Sequence, residues 1–201
     1  TAVSASHSNR KFGLELLEKT DPNDVNATYN DTFKYAREVL NRKPAESDLK
    51  ERNVAAPPHL DKAFAQSYIQ GSEIYSREGH CITCHQGNGK GLPGSGFPPL
   101  SGTKWVTGNT DRLIKLTLKG LMGPIEVMGV QYPGQVPMTP FEHMLKDDEI
   151  SAVLTYVRNS FGNKASPVTI DQVAKIRNNF IDKLGLYSPE QLLKEHPLEK
   201  N

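Results

Sequence analysis

Cys81 and Cys84 stand three positions apart and His85 follows at once, giving the run Cys81-Ile82-Thr83-Cys84-His85. Two thiols at this spacing can each form a thioether to one edge of the same porphyrin, and the adjoining imidazole then lies within reach of the iron. The C-x-x-C-H pattern is the attachment signature of a c-type haem. These are the only two cysteines in the chain, so no disulfide framework is left to build. A thioredoxin-like redox pair would need a βαβ context that is missing here, and a closed zinc site would need a second spaced cluster of ligands. The expected cofactor is one covalently attached haem c with its iron.

With His85 on one face of the iron, the other face takes a methionine, a histidine, water or nothing. A thioether raises the reduction potential and closes the site for electron transfer, whereas an open position permits ligand chemistry. Four methionines compete: Met122, Met128, Met138 and Met144. Met138 stands out in Val136-Pro137-Met138-Thr139-Pro140-Phe141, where flanking prolines stiffen an extended loop and aim its side chain. Met144 and Met128 are the alternatives, with His143 as the best histidine substitute. His80 is expected to point away from the iron, as a surface or propionate-side residue. His7, His59 and His196 lie in polar segments and are expected to face solvent. Trp105, the only tryptophan, wants an acceptor for its indole N–H when buried. A haem propionate would supply one, and ordinary core packing is equally open.

The elements that must hold these residues follow from hydrophobic spacing. Phe64, Tyr68, Gly71, Ile74 and Tyr75 share one face of a helix that starts near Asp61 and runs into the cysteine motif. Gly71 in that face calls for a close backbone approach. The segment from Gln86 to Gly102 holds six glycines and three prolines and reads as a loop bending around a flat cofactor. Its Gly87-Asn88-Gly89-Lys90-Gly91 run lacks the strand and the Gly-Lys-Ser/Thr ending of a phosphate cradle. Asn109 or Thr110 caps a helix over Asp111–Leu121 with Leu113, Ile114, Thr117, Leu118 and Leu121 inside. The alternation from Ile125 to Tyr132 predicts a small β-hairpin turning at Met128-Gly129. Asp147 or Asp148 opens another helix with Ile150, Val153, Leu154, Val157 and Phe161 buried, and Gly162 stops it. Thr169 to Gln172 and Ser188 to Gln191 read as capping boxes of two further helices near 170–184 and 189–195.

Before Asp61 the chain is polar and broken by prolines, with two short helical patterns at Phe12–Leu17 and Phe33–Leu40. Lys plus Arg number 24 and Asp plus Glu 23, which leaves no basic stripe for nucleic acid. No apolar run approaches the roughly 20 residues that cross a bilayer, so no transmembrane segment is expected.

Together these parts resemble a class I, mitochondrial-type cytochrome c domain. The order is a helix with Gly71 and Tyr75, the Cys81–His85 motif, Pro98-Pro99-Leu100-Ser101-Gly102, a loop methionine, and a last helix with Leu154-Thr155-Tyr156. The resemblance implies Gly71 against Tyr156 and a Pro98 carbonyl accepting the ring N–H of His85, which would fix its orientation. Met138-Thr139-Pro140-Phe141 and Gly120-Leu121-Met122-Gly123-Pro124 are similar to bacterial cytochrome c domains associated with periplasmic quinoprotein dehydrogenases.

The fold expected is an all-α cytochrome c fold with a small β-hairpin. Residues 1–59 would form a helical or partly irregular extension, 60–166 the haem domain, and 167–201 a C-terminal helical arm. The function implied is single-electron transfer with His85 and Met138 on the iron and no catalysis of its own. The protein would work between a donor dehydrogenase and an acceptor cytochrome or oxidase in the periplasm, as a free carrier or as an enzyme's module or subunit. The rival reading is a haem-based sensor or catalyst whose sixth ligand leaves readily.

Overall fold

The Asp61 carboxylate accepts the Phe64 N–H at 3.0 Å and starts helix α1, Lys62–Tyr75. In the computed structural model, residues 54–77, 80–179 and 185–199 are described. The helical patterns at Phe12–Leu17 and Phe33–Leu40 lie outside the described residues. On α1 the inner face buries Tyr68, Gly71, Ile74 and Tyr75, while Phe64 is only half-buried. A short helix α2, Cys81–His85, carries the cysteine motif, and a 3₁₀ turn at Pro93–Ser95 interrupts the glycine-rich loop. Helix α3, Lys104–Thr107, is followed by α4, Thr110–Lys119. Asn109 caps α4 by accepting the Arg112 N–H at 2.8 Å, and the helix stops at Gly120, short of the Leu121 that the sequence pattern suggests.

Strands β1, Ile125–Val127, and β2, Val130–Tyr132, pair antiparallel with Ile125 opposite Tyr132 and Val127 opposite Val130. Met128 and Gly129 both take positive φ, 54° and 79°, the pair of conformations that a two-residue type I′ hairpin turn requires. The expected register is therefore the observed one.

Helix α5, Asp147–Arg158, buries Ile150, Val153, Leu154 and Val157 and crosses α1. A Cβ on Gly71 would sit 2.0 Å from the Ala152 carbonyl oxygen and 2.8 Å from the Tyr156 Cβ, so only glycine allows the crossing this close. The Tyr156 ring then packs 5.0 Å from Tyr68 and 5.3 Å from Tyr75, centroid to centroid. The helix ends before Phe161 instead of running to Gly162. The reason is Asn163, whose side-chain amide donates to the Val157 carbonyl at 2.8 Å and to Leu100 at 3.0 Å, terminating the helical ladder from outside.

The last two helices differ from the expected arm. Thr169 and Gln172 exchange side-chain and backbone hydrogen bonds at the start of α6, Ile170–Asn179. Ser188 and Gln191 do the same for α7, Pro189–Glu195. Both helices and the residues just before them bury side chains in the same core as α1, α4 and α5: Val168, Val173, Ile176, Tyr187 and Leu192. Val54–Asn201 is one compact unit, with no break near residue 166. The apolar stripe of α6 has a complementary surface in α4 and α5, so hydrophobic burial folds this segment into the body.

Candidate haem site

The cysteine motif is held from both ends. The Tyr75 hydroxyl, buried at the end of α1, donates to the Gln86 carbonyl at 2.7 Å, pinning the residue after His85. Gln86 itself has a positive φ of 61°, which swings the chain away from α2. On the far side, His85 Nδ1 lies 2.9 Å from the Pro98 carbonyl oxygen. The carbonyl can only accept, so Nδ1 carries the proton and Nε2 keeps its lone pair. Burial lowers the His85 pKa, partly offset by the Pro98 bond, and the ring stays neutral. The loop can bring Pro98 here because Gly91, at φ 67°, passes under it: a Cβ on Gly91 would lie 2.5 Å from the Pro98 oxygen.

Cys81 and Cys84 are both half-buried and form no disulfide. Burial pushes the Cys81 thiol up to about 12 and raises that of Cys84. A thioredoxin-like pair works through a lowered thiol pKa, the opposite of this environment. Among the described residues no group of three or more His, Cys, Asp or Glu side chains could hold a metal by itself, so a zinc site finds no further ligands.

Beside the motif opens a cleft of two lobes, about 700 Å³ and 1050 Å³. Cys81, His85, Pro98, Leu121, Ile125 and Met138 line both. The inner lobe is walled by Leu113, Leu116, Val127, Val153, Leu154 and Trp105, and the outer lobe carries Cys84, His80 and Phe141. An apolar lining of this kind suits a flat organic cofactor. Two thiols on one rim, a neutral imidazole with a free Nε2 and a thioether lining the same space fit a covalently bound haem.

Met138 reaches the cleft by a route that its prolines alone do not define. Its backbone pairs with Leu121, Met138 N–H donating to the Leu121 oxygen at 2.8 Å and Leu121 N–H donating back at 3.4 Å. Leu121 also bridges to Tyr187 on its other side. Downstream, Phe141 N–H donates to Thr117 and Glu142 N–H to Leu118, each at 3.0 Å, occupying carbonyls at the end of α4. Met138 is half-buried against the core. Met122, Met128 and Met144 are exposed, at 52%, 66% and 53%. The His143 side chain is 92% exposed beside Glu142, which removes it as a substitute ligand in this arrangement.

Trp105 is buried and lines the inner lobe, and its Nε1–H donates to the Glu126 carbonyl of β1 at 2.9 Å. The indole N–H thus has its acceptor in the hairpin, while the ring faces the cleft. His80 is half-buried instead of exposed. Its ring packs 5.4 Å from Phe141, and its Nδ1 is buried with no hydrogen-bond partner among the described residues. His59 is exposed and bonds Asn159 at 2.8 Å. His196 is half-buried, with its Nε2 2.7 Å from Lys115 Nζ. Sequence reasoning missed Arg112 and Lys115, both buried on α4, because long cationic side chains are ordinarily exposed. The signal that could have found them is the pair of acidic residues near the C-terminus, Glu195 and Glu199.

With this geometry the chain can be compared with known proteins. The cytochrome c family model matches residues 68–161. The chain is 37% identical over 141 residues to a cytochrome c-552 of Thermus thermophilus, covering 66% of this chain and 86% of that protein. It is 32% identical over 112 residues to the cytochrome c subunit of a quinone alcohol dehydrogenase from Gluconacetobacter polyoxogenes, covering 55% of this chain and 23% of that subunit. The equivalent subunit of Gluconobacter oxydans is 32% identical over 108 residues, 53% of this chain and 22% of that subunit. This chain belongs to the cytochrome c family. Its described body is the cytochrome c fold, its cofactor is covalent haem c with iron, and its role is electron transfer.

Proposed function

We propose that the chain is a one-electron carrier in which Cys81 and Cys84 anchor the haem and His85 and Met138 hold the iron from its two faces. The observation that carries this reading is that His85 and Met138 line both lobes of one cleft while Pro98 occupies the other nitrogen of His85. The bound haem supplies reversible one-electron chemistry at the iron, and ligand identity and burial set its potential. The chain's own part is to keep His85 neutral and oriented, to exclude water with the apolar walls and to present Met138. Pro98 acts through His85, and Trp105 acts as a wall of the site.

The named relatives support a partner of the same general kind, a donor dehydrogenase on one side and an acceptor cytochrome or oxidase on the other. They also support an extracytoplasmic, periplasmic setting in a bacterium. The carrier would be free or a subunit of such an enzyme. Among the described residues no helix is long and apolar enough to cross a membrane.

The test is the sulfur-to-iron charge-transfer band of the oxidised protein. We expect it in the haem-loaded chain and expect Met138→Ala to abolish it, while Met144→Ala and Met128→Ala leave it in place. A band that survives in Met138→Ala refutes the ligand assignment. Rapid cyanide or carbon monoxide binding at neutral pH would replace the carrier by a ligand-binding sensor or catalyst.

A further inference from the structure

Behind the Trp105 wall lies a charge arrangement that the electron-carrier reading does not itself require. Arg112 on α4 is completely buried. Its Nη1 donates to the His196 and Pro197 carbonyls at 3.0 and 2.8 Å. Its Nη2 donates to the Lys104 carbonyl at 2.7 Å and to Glu199 Oε2 at 3.2 Å. Three of these four acceptors belong to the four residues 196–199. The guanidinium carbon lies 5.5 Å from the centre of the Trp105 ring, within range of a cation–π contact. The ring in turn lines the inner lobe of the haem cleft.

Charge balance here depends on one carboxylate. Glu199 Oε1 accepts the Asn109 N–H while its Oε2 pairs with Arg112. Arg112 and these donors outweigh the burial that would raise the Glu199 pKa, so its carboxyl is held below the usual range and stays ionised at neutral pH. A second buried guanidinium, Arg158, donates to the Val106 and Gly108 carbonyls around the same short helix α3. Burial lowers the Arg158 pKa, and the charge of Glu199 acts the other way. Lys115, one turn along α4, is matched separately by Glu195 at 2.8 Å. The buried Arg112 thus draws its carboxylate partner from the C-terminal segment.

We propose that residues 196–199 form an electrostatic clamp on the haem site, with Glu199 as a positioning residue that acts through Arg112 and Trp105 to lower the reduction potential. The inference rests on the carrier reading above. The sign follows from charge: the oxidised centre is one unit more positive than the reduced one. A guanidinium stripped of its counter-charge nearby disfavours the oxidised form, and an intact Glu199 favours it.

The experiment compares the full haem-loaded chain with Glu199→Gln, which keeps the shape and one acceptor oxygen but removes the charge. Midpoint potential and thermal midpoint are measured together. We expect the potential to rise, so that at a fixed electrode potential the reduced-to-oxidised ratio increases roughly two-fold or more. Glu195→Gln removes the same charge from the Lys115 pair and should shift the potential less, since the Glu199 partner Arg112 stacks on Trp105. Glu199→Asp should restore part of the wild-type value. A Glu199→Gln protein whose melting falls while its potential matches wild type would reduce the clamp to ordinary structural support and overturn the proposal. So would equal shifts in Glu199→Gln and Glu195→Gln. Failure of the carrier reading looks different: the wild-type chain itself would lack a reversible one-electron wave.

Discussion

An imidazole that gives its Nδ1 proton to a carbonyl has only Nε2 left for other work, and His85 meets that condition through Pro98. Residues of this kind were legible in the sequence because covalent attachment and iron ligation tolerate few residue types and fixed spacings. Cys81, Cys84, His85, Pro98 and Met138 all line one cleft, and their roles toward the haem are those proposed above. The partner of Trp105 was not legible, since any carbonyl can accept an indole N–H and sequence does not say which one arrives. The choice of Glu126 yields a prediction: Trp105→Phe loses the bond and leaves a gap where the larger ring packed, at a cost of about 1–3 kcal/mol. Denaturant unfolding of the haem-loaded protein measures it, and the charge-transfer band should be unaffected. A lost band with unchanged stability would mean that Trp105 serves the iron and not the hairpin. Arg112 was illegible for the reverse reason, because a buried arginine contradicts its usual exposure and three of its four acceptors come from 84, 85 and 87 residues away.

Elements follow from local pattern wherever one face is buried, and the hairpin turn at Met128-Gly129, a cap at Asn109 or Thr110 and both capping boxes were readable on that ground. Element ends decided by distant side chains were not, as with α5, where Asn163 removes the Val157 carbonyl from the helical ladder. The α1–α5 crossing turns on a single position. Gly71→Ala would gain about 1 kcal/mol of helix propensity, but its methyl would meet the Ala152 carbonyl oxygen at 2.0 Å. That atom is backbone and cannot rotate aside, so the net effect is a loss of about 1–3 kcal/mol, read as a lower unfolding midpoint. A stability equal to wild type would show that the two helices separate freely. Thr169→Ala should cost about 1 kcal/mol through the lost cap of α6. Because α6 packs on the common core, that loss is expected in the global transition and not as a separate early melt of the C-terminal helices.

For the molecule as a whole, acid is the condition that strains it. Burial and Lys115 lower the His196 pKa from its usual 6.5. Its other charged neighbours divide: Asp111 and Glu195 raise it and Arg112 lowers it. At Glu149, burial acts upward, but the Lys146 N–H and Arg77 prevail and hold the carboxyl below its usual 4.5. Both groups bind protons more weakly folded than unfolded, so their contributions are present above the unfolded pKa and lost as pH falls through the folded one. The thermal midpoint should therefore decline in two stages, the first beginning below about pH 6.5 and the second below about pH 4.5. His80 and His85, also lowered by burial, act in the same range, so His196→Asn should shrink the first stage without abolishing it, and an unchanged first stage would count against the Lys115 contact. The C-terminal helices were foreseen as elements, but not as part of the body, because an amphipathic stripe does not name its partner. Their entry into the core gives the bridge of Met138, Leu121 and Tyr187 a further meaning. The thioether loop is pinned by backbone bonds at Leu121 and at the end of α4, all of them independent of the iron. On the proposed ligation by Met138, few atoms of this loop would need to move when charge is added or withdrawn, so the nuclear rearrangement accompanying each electron would be small.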